Sequence, residues 1–218
     1  MSTFWIIGGG RFGLQAAKSL RHKNSASVIT VVEKQSAICR RIKQLDFETV
    51  CMDGIRFLTT NLAHQDFPDW IVPAIPLHVA YEWIKSKLAP IYFLESLPIP
   101  DPLKFRLPNM IEGNMKQVYV SNAEFICPEK CPEPEDICIH TGKPRPRQMH
   151  AYLESIQHAG YKSLVVRSRQ LLPGVGGYAP RDLFEALEEI MTLHTSVLLS
   201  TACRCHGVIN AFRISNKR

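Results

Sequence analysis

The sequence predicts an α/β fold with a doubly wound, mainly parallel sheet, followed by a smaller cysteine-rich α/β part. Three observations predict it. An apolar run, residues 4–7, enters Gly8-Gly9-Gly10-Arg11-Phe12-Gly13; an amphipathic segment follows; and a second apolar run, residues 28–32, ends on Glu33. Strand, glycine turn, helix and acid-tipped strand, in that order, open a Rossmann-like unit.

Each glycine of the G-x-G-x-x-G pattern plays a separate part. Gly8 lets the chain turn out of the strand, Gly10 lets backbone approach a pyrophosphate, and Gly13 lets helix pack on strand. The helix expected over residues 12–22 aims its N-terminal amides at the phosphates, which brings Arg11 and Phe12 into the candidate site. Glu33, twenty positions after Gly13, can accept hydrogen bonds from ribose hydroxyls. Its charge opposes a 2′-phosphate, so NAD(H) is expected over NADP(H).

The alternation continues with a helix over 36–45 and a short strand over 48–52 that ends at Asp53-Gly54. Asp53 falls beside the expected adenine pocket, although Asp-Gly is also a common turn pair. A fourth strand over 69–74, made irregular by Pro73 and Pro76, a helix over 78–88 and a fifth strand over 91–94 complete the first unit, residues 1–95. Pro98, Pro100, Pro102 and Pro108 then exclude regular structure from a connecting segment. The second region, 96–218, reads as strand 117–126, loop 127–146, helix 147–158, strand 163–167, loop 168–180, helix 181–191, and strands 196–201 and 208–214. It either forms a separate unit or extends the first sheet.

The glycine loop, Glu33 and Asp53-Gly54 together resemble the TrkA-N, or RCK, nucleotide-binding domains over about the first ninety-five residues. The resemblance implies a Rossmann fold that binds NAD(H) or an adenine nucleotide, often as a dimer, with the glycine loop on phosphates and the acidic residue on ribose.

Cysteine usage marks the second region. Cys127, Cys131 and Cys138 fall within twelve residues, and Cys203-Arg204-Cys205-His206 adds two thiols and an imidazole at the end of a late strand. A cytoplasmic chain has little reason to pair such thiols as disulfides, so they read as metal ligands or redox groups. The spacings are C-x3-C, C-x6-C and C-x-C rather than the C-x2-C of zinc knuckles, and the Cys-Pro pairs are more familiar from iron–sulfur loops. An iron–sulfur cluster, zinc and no metal all stay open; Cys39 and Cys51 read as small core residues. A second glycine-rich stretch, with Arg167, Ser168, Gly174, Gly176 and Gly177, is either an anion-binding loop or a plain connection.

A formal net charge of +6 and 45% hydrophobic residues describe an ordinary globular chain. No apolar run is long enough to span a bilayer and no signal peptide is evident, so a cytoplasmic protein without membrane insertion is expected. Basic residues gather at 18–23, 143–147, 167–169 and 213–218, but without a reading helix or aromatic platform they make nucleic acid an unlikely partner. Cofactor phosphates or a bound anion explain them more simply, and most of these residues read as solvated surface charge. The residues thus point to an NAD(H)-binding redox protein with an iron–sulfur or zinc centre. The alternative is an NAD(H)-sensing regulatory module with a structural metal, working as a homodimer or on a redox or transport partner. No spacing selects a catalytic residue among Tyr178, His78 and Arg167, so enzyme status stays open.

Overall fold

The computed structural model describes residues 1–65 and 67–217; Arg218, the last of the basic tail, lies outside them. The first unit alternates as expected: β1 (Thr3–Ile7), α1 (Arg11–Lys23), β2 (Val28–Glu33), α2 (Ser36–Lys43), β3 (Glu48–Cys51), α3 (Gly54–Asn61), β4 (Trp70–Pro73) and α4 (Val79–Leu88). Its four strands are all parallel, in the order β3-β2-β1-β4. The order reverses about β1, which puts the glycine turn after β1 at the crevice where such sheets bind ligands. One face is covered by α1 and α2, whose Ala16, Ala17, Leu20 and Ile42 pack on Ile6, Ile29 and Val31.

The second half builds a sheet of its own and does not lengthen the first. After β5 (Tyr92–Leu97) come a short helix α5 (Asp101–Lys104), β6 (Ile111–Glu112), β7 (Val118–Ser121), α6 (Met149–Glu154) and β8 (Tyr161–Arg167). Then follow β9 (Arg169–Leu172), β10 (Val175–Gly177), α7 (Pro180–Thr192), β11 (Ser196–Ala202) and β12 (His206–Asn216). The larger sheet runs β6-β7-β12-β11-β8, with β5 also paired to β12; only β8 and β11 are parallel.

The fifth strand forms close to where the apolar run predicts it but joins this second sheet, antiparallel to β12. The reason lies at the free edge of β4: the Ile71 amide donates to the Tyr178 carbonyl, and the Tyr178 amide donates to the Ile71 carbonyl, both at 3.0 Å. The loop expected over 168–180 is therefore a hairpin, β9–β10, turned at Pro173-Gly174 and laid against that edge.

A shared apolar layer joins the halves. Trp83 and Ile84 of α4 and Leu183 and Ile190 of α7 are buried between Ile7, Val32 and Ile71 of the parallel sheet and Val166, Val197, Leu199 and Phe212 of the second. His78, just before α4, locks this layer. Its ring, 2% exposed, places Nδ1 2.8 Å from Asn210 Oδ1 and Nε2 2.9 Å from Thr201 Oγ1.

Candidate functional site

The glycine loop is shaped by contacts that only glycine permits. Gly8 has φ +109°, in the left-handed half of backbone space, and a Cβ on Gly13 would lie 1.8 Å from the Gly8 carbonyl oxygen. At Gly10 the reverse holds: an added Cβ meets nothing within 4 Å, so this glycine borders open space. Helix α1 begins there with no side-chain cap and no acidic residue in its first turn, which leaves its leading amides directed outward.

Glu33 sits at the tip of β2 as expected, but its carboxylate already has partners. Oε2 accepts from the Gly9 amide at 2.8 Å and Oε1 from the Gln35 amide at 2.9 Å, so the buried side chain clamps the glycine turn to the start of α2. Asp53 caps α3, its Oδ1 accepting from the Ile55 and Arg56 amides at 3.0 Å each. Phe12 is 60% exposed, and the Arg11 guanidinium lies over its ring. Arg11 also reaches across to Glu129 Oε1 at 2.5 Å, tying the start of α1 to the cysteine-rich loop.

That loop, tied to the start of α1 through Glu129, lines a cavity of about 290 Å³ whose walls include Cys127, Cys131, Cys138, Cys203, Cys205 and His206. The thiols come from two places. Residues 122–148 supply three from a stretch with little regular structure, and the tight turn between β11 and β12 supplies Cys203 and Cys205. Asn122 joins them: its amide donates to the Cys205 carbonyl at 2.8 Å, and its Nδ2 donates to the carbonyls of Arg147 and Arg204. Arg145 does the same from the other side, with Nε 3.0 Å from Cys205 Sγ.

The thiols differ in their surroundings. Burial pushes Cys127 up, and the neighbouring thiols of Cys131, Cys205 and Cys138 add to it. Burial also raises Cys205, with Arg145 pulling back against it. Hydrogen bonds from Thr141 hold Cys138 below its ordinary value. Cys203 is pushed up to about 12 by burial and by the Glu133 carboxylate, although the Cys205 and His206 amides point at its sulfur from 3.4 and 3.3 Å. His206, 4.0 Å from that sulfur, is depressed by burial. Among the described residues no three His, Cys, Asp or Glu side chains stand close enough to grip a single metal ion.

The second glycine stretch forms one wall of the cavity. A Cβ on Gly174 would fall 2.0 Å from the Glu129 carbonyl oxygen, one on Gly177 2.9 Å from that of Ile71, and one on Gly176 3.0 Å from Ser168 Oγ. These glycines let the hairpin wedge between β4 and the cysteine loop. Arg167 and Ser168 face a separate polar cleft shared with Arg169 and Arg204, where Arg169 pairs with Asp182 and Arg204 with Glu135. Tyr178 is sealed in the core, its hydroxyl without a partner among the described residues and strongly raised by burial. Sequence reading missed Asn122, Glu129, Glu133 and Arg145. Only Arg145 carried a signal, as part of a basic cluster that read as phosphate-facing and instead turns inward.

Residues 80–215 match a protein family described as "Uncharacterized protein, C-terminal domain". The chain belongs to that family. Its first part, residues 4–80, matches the TrkA-N domain, in agreement with the glycine loop and the parallel sheet. An Archaeoglobus fulgidus protein that carries the description "Uncharacterized protein" is 31% identical over 223 residues, spanning 95% of this chain and 98% of its own length. No solved structure matches. A TrkA-N domain joined to this C-terminal family points to a nucleotide-binding regulatory or redox module. Among the described residues no helix is long and apolar enough to cross a membrane.

Proposed function

We propose that this chain is a redox module that binds NAD(H) on the glycine loop and carries an iron–sulfur cluster held by Cys127, Cys131, Cys138 and Cys205. The observation that carries the reading is the junction of the two sites, where Glu129, on the rim of the thiol cavity, bonds to Arg11 at the start of α1. A nucleotide with its phosphates at Gly10 would therefore lie beside the thiols.

The donor set fits the cluster better than zinc. Four sulfurs around one zinc ion at about 2.3 Å would stand about 3.8 Å apart and close up on the metal. Here five thiols, in C-x3-C, C-x6-C and C-x-C spacings without a zinc knuckle, line a cavity of about 290 Å³. A polynuclear centre, in which each thiolate holds a different iron, could use four of them without their meeting at one point. Cys203 is the spare thiol, turned to Glu133 and His206. A cluster of this kind supplies one-electron transfer. The chain's own residues would orient the nucleotide and meet its phosphates with Arg11 and helix α1, while Phe125 and the flanking prolines line the cavity beside the thiols. Glu33 keeps spare lone pairs on both oxygens beside the clamp it forms, and its charge favours NAD(H) over NADP(H).

The second reading, an NAD(H) sensor with a structural metal acting on a second copy or on a transport or redox partner, is favoured by the TrkA-N match and by the core burial of His78 and Tyr178. Anaerobic purification separates them. The redox reading expects iron and acid-labile sulfide in equal amounts and a broad band near ~400 nm; a colourless protein with one zinc per chain would favour the sensor.

A further inference from the structure

We propose that Arg145 sets the redox poise of the thiolate centre by acting on Cys205, as a positioning residue and not as a ligand. The inference rests on the reading that Cys205 is one of the cluster's four ligands.

The geometry singles out this arginine. Its Nε donates to Cys205 Sγ at 3.0 Å, while Nη1 donates to the Glu135 carbonyl at 2.5 Å and Nη2 to the Pro134 carbonyl at 2.7 Å. Its own amide donates to the Asp136 carbonyl at 2.8 Å. Pro144 and Pro146 flank it and fix φ on both sides, so the guanidinium plane is held by backbone before any ligand arrives. Two carbonyl contacts would be enough to close the loop. The third donor is aimed at a sulfur.

The partners' charges make the contact consequential. Arg11, Arg169 and Arg204 each face a carboxylate, whereas the described partners of Arg145 are neutral carbonyls and Cys205. Its full positive charge is therefore directed at a ligating sulfur, from within a partly buried loop. Adding one electron to the centre increases its negative charge by one and breaks no bond. A cation and an N–H donor on the sulfur stabilise that reduced form more than the oxidised one, so the midpoint potential is higher with Arg145 than without it. Lysine would keep the charge but lose the fork that holds it in place.

The test uses full-length protein purified anaerobically, as wild type, Arg145→Lys and Arg145→Gln, with iron and sulfide measured per chain. Each sample is titrated with dithionite through mediators while cluster absorption and electron paramagnetic resonance are followed. At wild-type iron content, Arg145→Gln should shift the reduced-to-oxidised ratio at a fixed potential about tenfold toward oxidised, or ~59 mV lower for one electron. Arg145→Lys should fall between. Unchanged potentials in both variants overturn the proposal. So does loss of iron from both, since Arg145 would then only hold the loop together. Absence of iron from the wild type overturns instead the reading on which the proposal rests.

Discussion

The glycine loop and the cysteine cavity are linked by the bond between Arg11 and Glu129, but their structural supports are very different. The loop is local: three residues, Gly8 to Gly10, between β1 and α1, set by Gly8 and by Gly13 in the first turn of α1 and clamped by Glu33, a neighbour through the parallel pairing of β1 and β2. The cavity is assembled from residues 122–148 and the β11–β12 turn, and it is held by polar side chains on carbonyls, chiefly Asn122 and Arg145. The first site is shaped by its own backbone and by the Glu33 clamp. The second brings together thiols from two separate stretches, with Cys127, Cys203 and Cys205 raised by burial, and on the proposed reading it gains its order from what it binds.

The sharpest way to break this contrast is to remove a thiol. Cys127→Ser and Cys205→Ser should each lower metal to near zero per chain and open residues 122–148 to protease, while the parallel-sheet unit stays protected and retains nucleotide binding. Metal content equal to wild type in both variants would show that the cavity does not depend on these ligands.

The joint between the two regions should respond to pH. Burial lowers the His78 pKa to about 4 from 6.5. Between those values the unfolded chain takes up a proton that the folded chain refuses, so stability is full above pH 6.5 and falls as pH drops toward 4, by up to about 3 kcal/mol. His150 and His206, also depressed by burial, act in the same direction. Denaturant melts across this range should show the slope, and His78→Asn should flatten it; an equal slope in the variant would remove His78 from the account.

A smaller effect refines the view of the glycine loop. Gly10→Ala puts its methyl into open space, so stability should change by less than about 0.5 kcal/mol while NAD(H) affinity falls about tenfold, or about 1.4 kcal/mol. Gly13→Ala drives its methyl into the Gly8 carbonyl and should cost stability first. Calorimetric titration beside thermal melts distinguishes the two, and equal behaviour in both measurements would contradict the division of labour between these glycines.

Legibility in the sequence followed the same contrast. The run β1–α1–β2 could be read because each element carries its own period and its own glycine or acidic end, and the parallel sheet of the first unit follows from it. Glu33 was located correctly, but its bonds to Gly9 and Gln35 depend on how two turns meet, which no local pattern encodes. Residues 91–94 read as a strand of the first unit; the observed strand, 92–97, pairs instead with β12 because Tyr178, far along the chain, occupies the edge of β4. Pro173-Gly174 is a turn signal inside an expected loop, and the hairpin around it leaves no strand pattern because its strands are only four and three residues long. At the cavity the cysteines announced themselves by spacing. Arg145 did not, since a basic residue between prolines looks the same whether it faces phosphate or sulfur.

The central claim is that the two sites work as one redox unit, and an anaerobic titration of the full-length protein with NADH tests it most directly. Visible absorption of the cysteine-ligated centre should bleach as NADH is added, one NADH supplying two electrons to the centres of two chains with release of NAD+ and a proton; dithionite sets the end point, and Gly10→Val should abolish the NADH response but not the dithionite one. If NADH binds and dithionite bleaches the centre while NADH leaves the spectrum unchanged, the nucleotide site and the thiol cavity are not redox-linked and the account is wrong.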